Sequence, residues 1–342
     1  MDTLVRTTAK QVKAFCALIG MDPLLVQGAG GNVSWKDGNV LWVKASGTWL
    51  AESTTKDIFV PVDLAHLRQA IAQKDFSATP KVVGDSNLRP SIETFLHALM
   101  PQRVVVHLHA IEVLAHLVHD NFQADFQSLL DESTQWAVVE YYKPGAALAA
   151  EINAVLIQKP TAKVIFLKNH GVVIGGADIA EVNQIMSGLT LALCTRPANI
   201  FPPSHLMPVT AANLIDKYAP VADVDIHQLA LNPEFFKRLS SDWALYPDHV
   251  VFLGPKAYAY RTWEALNDEE KLAQDLPELV FIYGEGVYVT PSFNKAKQVQ
   301  LRCYFDVIAR QKPHSPLRVL TDIQIADLQN WDAEQYRLNI SQ

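Results

Sequence analysis

Arg103-Val104-Val105-Val106-His107-Leu108-His109-Ala110 decides how this chain reads. Three consecutive valines favour a strand, because β-branched side chains fit a pleated surface. Residues two apart on a strand face the same way. His107 and His109 therefore aim at one spot, as a bound cation requires. Glu93 lies upstream, and His170 lies downstream in Asn169-His170-Gly171. Together they offer three imidazole nitrogens and one carboxylate to a divalent metal. Zinc accepts both donor types, and three protein histidines leave room for a substrate. The opposing reading is plainer. It has two hydrogen-bonded histidines on a half-buried strand, a turn residue at His170 and a first-turn carboxylate at Glu93, favoured by the helix dipole.

The flanking segments alternate between helix and strand patterns. Residues 3–19 predict an amphipathic helix that Gly20 ends. Gly28-Ala29-Gly30-Gly31-Asn32-Val33-Ser34 is too rich in glycine for a regular element and is expected to be a loop. Asp37-Gly38-Asn39 is a hairpin-like turn into a strand over 40–44, followed by the polar loop Ala45-Ser46-Gly47-Thr48. Helices are expected over 64–72 and over 91–99, the second opened by Ser91 and closed before Pro101. A helix over 112–119 follows the histidine strand. Further helices cover 148–157 and 178–194, and strands at 164–167 and 172–174 flank His170.

Pro197, Pro202, Pro203 and Pro208 then mark a linker. Beyond it, short strands are expected at 250–253, 279–283 and 287–290, with helices at 295–310 and 323–337. Trp243, Tyr246 and Phe252 read as core. The pattern predicts an α/β layered fold, with one domain over residues 1–205 and a smaller α+β domain over 206–342.

Composition narrows the partners. Hydrophobic residues make up 49% and charged residues 19% of the 342, enough for a sizeable core. The net charge is −7, with 29 Lys and Arg against 36 Asp and Glu, which argues against nucleic acid or an anionic membrane as the partner. Cys16, Cys194 and Cys303 are odd in number and far apart. They suggest buried thiols in a reducing compartment rather than a disulfide framework. With no secretory pattern and no apolar run of membrane-spanning length, the expected location is the cytoplasm.

Backbone amides at Gly31-Asn32 and Ser46-Gly47, with Ser91 at a helix start, suit a phosphate, and Lys44 and Arg89 add charge nearby. Each piece alone is equally a simple turn. Tyr141 and Tyr142, before Lys143-Pro144-Gly145, carry hydroxyls that could protonate a leaving alkoxide or simply pack as strand aromatics. His97, His116 and His119 read as surface or supporting groups, and His66 carries no signal.

Taken in order, five segments resemble the class II aldolase/adducin family. They are Gly30-Gly31-Asn32-Val33-Ser34, Lys44-Ala45-Ser46-Gly47-Thr48, Pro90-Ser91-Ile92-Glu93, Val106-His107-Leu108-His109-Ala110 and Leu167-Lys168-Asn169-His170-Gly171. Within that family, Glu93-Thr94-Phe95-Leu96-His97-Ala98-Leu99 and residues 245–255 are similar to the aldolase part of rhamnulose-1-phosphate aldolase/dehydrogenase fusions. No G-x-G-x-x-G dinucleotide fingerprint follows a strand.

The resemblance implies a central, mainly antiparallel sheet covered by helices. It implies a divalent metal, zinc first, on His107, His109 and His170. Glu93 would be the acid/base and a further metal ligand, and Tyr141 or Tyr142 a proton donor. A phosphate pocket would use Gly31, Asn32, Ser46, Gly47 and Ser91, and the assembly would be a homo-oligomer, a tetramer first. Ser91-Ile92 departs from the paired serines of many relatives. The expected reaction is aldol cleavage of a ketose 1-phosphate through a metal-stabilised enediolate. Epimerisation or decarboxylation of a sugar phosphate at the same site, and an adducin-like interaction module, are the alternatives.

Overall fold

The computed structural model of the chain describes residues 2–131, 133–198, 200, 217–270, 276–333 and 336. Its first half runs α1 (Asp2–Gly20), β1 (Asn32–Asp37), β2 (Val40–Lys44), β3 (Phe59–Asp63), α2 (Leu64–Ala72), α3 (Thr94–Leu99), β4 (Val104–Leu108), α4 (Ile111–Leu117), α5 (Phe122–Leu129), β5 (Trp136–Val139), α6 (Ala146–Gln158), β6 (Val164–Leu167), β7 (Gly171–Gly176) and α7 (Ile179–Ala192). The second half runs β8 (Ala219–Pro220), α8 (Gln228–Leu231), α9 (Pro233–Ser241), α10 (Pro247–Leu253), β9 (Ala259–Tyr260), α11 (Trp263–Glu270), β10 (Leu279–Ile282), β11 (Gly286–Val289), α12 (Lys295–Ala309) and α13 (Asp322–Gln329).

The triple valine forms β4, the middle strand of a seven-stranded sheet ordered β3-β2-β1-β4-β7-β6-β5. Every pairing is antiparallel except that of β5 with β6. Alternation along the strands explains the layers. Val104, Val106 and Leu108 of β4 join Val33 and Trp35 of β1 and Val172 and Ile174 of β7 in one core with α1, α4 and α7. Val105, Ile165 and Val173 point the other way, into a core with α3 and α6. The result is the expected αβα arrangement, with a mainly antiparallel sheet between helices. His107, in phase with Val105, belongs to the α3 face.

Two local expectations are corrected. Residues 32–37 are a strand, not part of the glycine loop. The loop ends at Gly31, where φ is +62° and a Cβ would stand 2.8 Å from the His107 carbonyl oxygen. Beyond it Val33 and Trp35 alternate into the core and impose strand geometry. Residues 250–253 are helical rather than extended. Pro247 opens α10 at a position where its missing N–H is harmless, and Gly254 ends it with φ of 86°. A short apolar run such as Val250-Val251-Phe252-Leu253 does not distinguish helix from strand by itself. Cys16 and Cys303 are buried, but Cys194, just past α7, is exposed. Trp243, Tyr246 and Phe252 are core. The boundary expected between residues 205 and 206 lies outside the described residues. Among the described residues no helix is long and apolar enough to cross a membrane.

The second half has its own four-stranded sheet, β8-β11-β10-β9. It joins the first half through α4, which is apolar nearly all round and buried on both sides. Val113 and Leu117 enter the first core, while Ile111, Leu114 and Val118 enter the core of the second half. Those three side chains contribute on the order of 1.5–3 kcal/mol each. The one acidic residue of α4, Glu112, is matched by Arg310, which caps the end of α12, at 3.1 Å. Asn169 adds a polar clamp. It holds a left-handed φ of 52°, which Asn tolerates better than most residues. Its side-chain amide donates to the carbonyls of Leu245 (2.8 Å) and Arg318 (2.7 Å).

Asn169→Ala leaves two carbonyls without a donor and puts alanine at positive φ. We expect it to lower stability by about 2–4 kcal/mol in urea unfolding.

Candidate metal centre

The sheet register assembles the site. Asn32 of β1 pairs with His107 of β4, and His107 pairs with Val173 of β7. His107 Nδ1 donates to the Val172 carbonyl at 3.2 Å, which turns Nε2 inward. His109, one residue past β4, presents its Nε2 3.2 Å from that nitrogen. His170 precedes β7, and its Nε2 lies 3.6 Å from Glu93 Oε1. The three rings are buried, and one nitrogen from each lies within 4.8 Å of the others.

Glu93 sits one residue before α3 as its N-cap, so the helix begins later than the sequence suggested. Ser91 still organises this entry, because its Oγ accepts the Glu93 N–H at 3.2 Å. Glu93 Oε2 accepts from the Asn32 amide at 2.9 Å and lies 3.5 Å from His107 Nε2. Behind Asn32 runs a buried relay. Ser34 Oγ donates to His97 Nδ1 at 2.7 Å, and His97 Nε2 donates to the Asn32 side-chain oxygen. Burial holds His97 neutral, pushed down to about 3. His97 is thus a support for Asn32, and Asn32 for Glu93. Of the surface and supporting roles that the sequence left open for His97, burial selects the second.

The electrostatics fit a cation. Burial pushes the Glu93 carboxyl up, but His107, His170, the Asn32 amide and His109 together outweigh it and hold the group at about 2. Burial pushes His170 down to about 3 and also lowers His107. The Glu93 carboxylate is thus favoured in its ionised form, while burial disfavours a charge on His107 and His170. Glu93 Oε1 is buried with no hydrogen-bond partner. With its proton on Nδ1, His107 turns a bare Nε2 lone pair toward the Nε2 of His109. Ligands about 2.0–2.1 Å from a tetrahedral zinc stand about 3.4 Å apart, close to the spacing of this pair. His107, His109, His170 and Glu93 fit a divalent ion by donor type and arrangement.

A small cavity of about 30 Å³ opens beside this cluster, room for one or two water-sized groups. Gly31, Asn32, Ser46, Gly47 and Ser91, all candidates from the sequence, line it together with Glu93, His109 and His170. The Asn32 side chain is committed to Glu93 and His97. Lys44, buried in the same wall, donates to the carbonyls of Ala29 (2.9 Å) and Thr48 (2.6 Å), tying the two loops together. Tyr141 and Tyr142 do not line the cavity. Tyr141 packs against the core of the second half and Tyr142 is 37% exposed, while their loop reaches the cavity with Pro144. Arg89 lies over the Tyr336 ring instead of entering the site. His116 and His119 lie elsewhere, against the Leu193 carbonyl and the Gln311 side chain. The second half supplies two wall residues, Pro247 and Asp248, from the 245–255 stretch, to which the sequence gave a likeness but no site role.

The Class II Aldolase and Adducin N-terminal domain family matches residues 10–193, more than half of the chain. A Bacillus subtilis (strain 168) protein described as uncharacterized oxidoreductase YuxG is 29% identical over 175 residues. That match takes in 46% of this chain and 25% of that protein, so the chain spans about a quarter of the length of the curated relative it matches. Among solved structures, the N-terminal class II aldolase domain of a conserved protein from Thermoplasma acidophilum is 27% identical, with a TM-score of 0.46, covering 54% of this chain and 90% of that one. A sugar-phosphate aldolase from Thermotoga maritima is 16% identical, with a TM-score of 0.43, covering 55% and 94%.

Zinc at 100 times its dissociation constant should stabilise the protein by about 2.7 kcal/mol. Thermal unfolding with and without a chelator checks this. His170→Ala should abolish most of the zinc-dependent gain, and an equal gain in that variant would remove His170 from the ligand set.

Proposed function

The chain belongs to the class II aldolase and adducin family, and from that premise we propose that it cleaves a small sugar phosphate, of the ketose 1-phosphate kind, by reversible aldol chemistry. The observation that carries this proposal is Glu93. It is an ionised carboxylate held by Asn32, with Oε1 unpartnered and 3.6 Å from a histidine nitrogen. His107, His109 and His170, with Glu93 itself in the resting site, would hold a divalent ion, zinc first. Such an ion, when bound, supplies Lewis-acid stabilisation of negative charge developing on the substrate's carbonyl and neighbouring hydroxyl oxygens.

The chain's own groups handle the protons. In the condensing direction Glu93 Oε1 takes a proton from the substrate carbon next to the carbonyl. In the cleaving direction it returns that proton to the same carbon after the carbon–carbon bond has broken. The Asn32 amide keeps Oε2 occupied, so Oε1 is the oxygen that exchanges. The amides of Gly31 and Gly47, the hydroxyls of Ser46 and Ser91 and the charge of Lys44 would receive the phosphate. A cavity of about 30 Å³ is smaller than a sugar phosphate, so its walls would yield on binding.

Tyr141 and Tyr142 lie off this cavity, so either would act on the aldehyde-side oxygen only in the site of a neighbouring copy. That need accords with a cytoplasmic homo-oligomer, a tetramer being the family expectation. The domain division at residues 205 and 206 belongs to the same proposal, with catalysis on the first domain.

Glu93→Gln should retain zinc while turnover falls about 10²–10⁴-fold, the usual contribution of a general acid–base. The assay is retro-aldol release of dihydroxyacetone phosphate from a panel of ketose 1-phosphates, with deuterium exchange into dihydroxyacetone phosphate measured in parallel. Undiminished exchange in the variant would remove Glu93 from the mechanism. Substrate conversion without a three-carbon product would replace aldol cleavage by epimerisation or decarboxylation.

A further inference from the structure

Asp248 belongs to the second half of the chain, yet its carboxylate faces a proposed metal ligand of the first. Its Oδ2 stands 3.4 Å from His109 Nδ1, and the residue is 2% exposed. The other ring nitrogen of His109, Nε2, faces His107. The two nitrogens of an imidazole point apart. Asp248 therefore stands behind the ring and cannot share an ion with Nε2.

The contact is built from both sides. Gln300 of α12, also buried, places its Nε2 3.4 Å from Asp248 Oδ2 and 3.4 Å from the Gln27 carbonyl oxygen. Gln27 begins the glycine loop, so this side chain bridges Asp248 to that loop. Within the loop, Gly30 leaves the space that the pair occupies. A Cβ there would stand 2.8 Å from Asp248 Oδ2 and 3.0 Å from His109 Nδ1. Four separate stretches of chain, at residues 27–30, 109, 248 and 300, thus meet around one imidazole nitrogen.

We propose that Asp248 is a positioning residue for His109. It accepts the Nδ1 proton and so fixes the tautomer and ring orientation that present Nε2. A carboxylate behind a ligating histidine has this effect in metal sites generally, and its loss typically costs 10–100-fold in metal affinity. The second half of the chain then governs how firmly the ion is held, although it supplies no ligand. The inference rests on the metal-dependent reading above.

The test is zinc affinity of the full chain, by competition with a chromophoric chelator, beside thermal unfolding of the metal-free protein. Asp248→Asn keeps size and polarity but removes the charge. It should bind zinc about 10–100-fold more weakly with the metal-free unfolding temperature unchanged. Gln300→Leu, which removes the amide that holds the carboxylate without touching the His109 ring, should weaken zinc in the same direction, and it decides the matter if Asp248→Asn fails to fold. Zinc affinities within twofold of the parent in the folded variants would overturn the role of Asp248 and leave the catalytic reading standing. A parent protein that takes up no zinc would overturn both.

Discussion

The register of β4 between β1 and β7 is the constraint on which the site depends. Because side chains alternate along a strand, a slip of one residue would turn His107 into the α1 face and bring a valine into its place. The register is held by apolar packing on both faces, with Val104, Val106 and Leu108 on one and Val105 on the other. That packing is what licenses a buried polar cluster beside it. An ionised carboxylate in such surroundings costs far more than an ordinary polar group unless it is paired. Glu93 has the Asn32 amide on one oxygen and, on the other, no hydrogen bond and only the His170 ring at 3.6 Å, so the cluster as folded suits an added positive charge.

The second half of the chain is part of this arrangement, and three of its links bear on the site. Apolar side chains of α4 extend into its core, Asn169 beside His170 is clamped to the carbonyls of Leu245 and Arg318, and Asp248 reaches His109. Two of the three histidines are thus steadied from outside the sheet that carries them. His107 is steadied from within it, by the Val172 carbonyl. A strand interior offers ladder partners to its own residues, whereas His109 and His170 lie at strand ends and need support from elsewhere.

Much of this was legible in the sequence, and the misses have physical causes. The valine run, the His-x-His spacing and the Asn-His-Gly turn announced the three imidazoles, because strand alternation is a local rule. The helices at 64–72, 148–157 and 178–194 emerged close to their expected limits, since periodicity and capping are local too. Asn32–Asp37 was hidden because the glycines before it read as loop, while the tertiary packing of Val33 and Trp35 made it a strand. The 250–253 run became helical because Pro247 and Gly254 bracket it, with Val250 and Phe252 buried and Val251 and Leu253 half-buried. The roles of His97 and Asp248 arise from contacts between segments far apart in the chain. No spacing rule within one segment reaches such pairs.

The central claim is that three imidazole nitrogens and one carboxylate surround a single divalent ion. Anomalous diffraction at the zinc edge, from crystals grown with zinc, tests it most directly. The expected result is one strong peak about 2.0–2.1 Å from Nε2 of His107, His109 and His170, with Glu93 alongside. A map with no peak there, or with zinc held only by other residues while the three rings hydrogen-bond to one another, would contradict it.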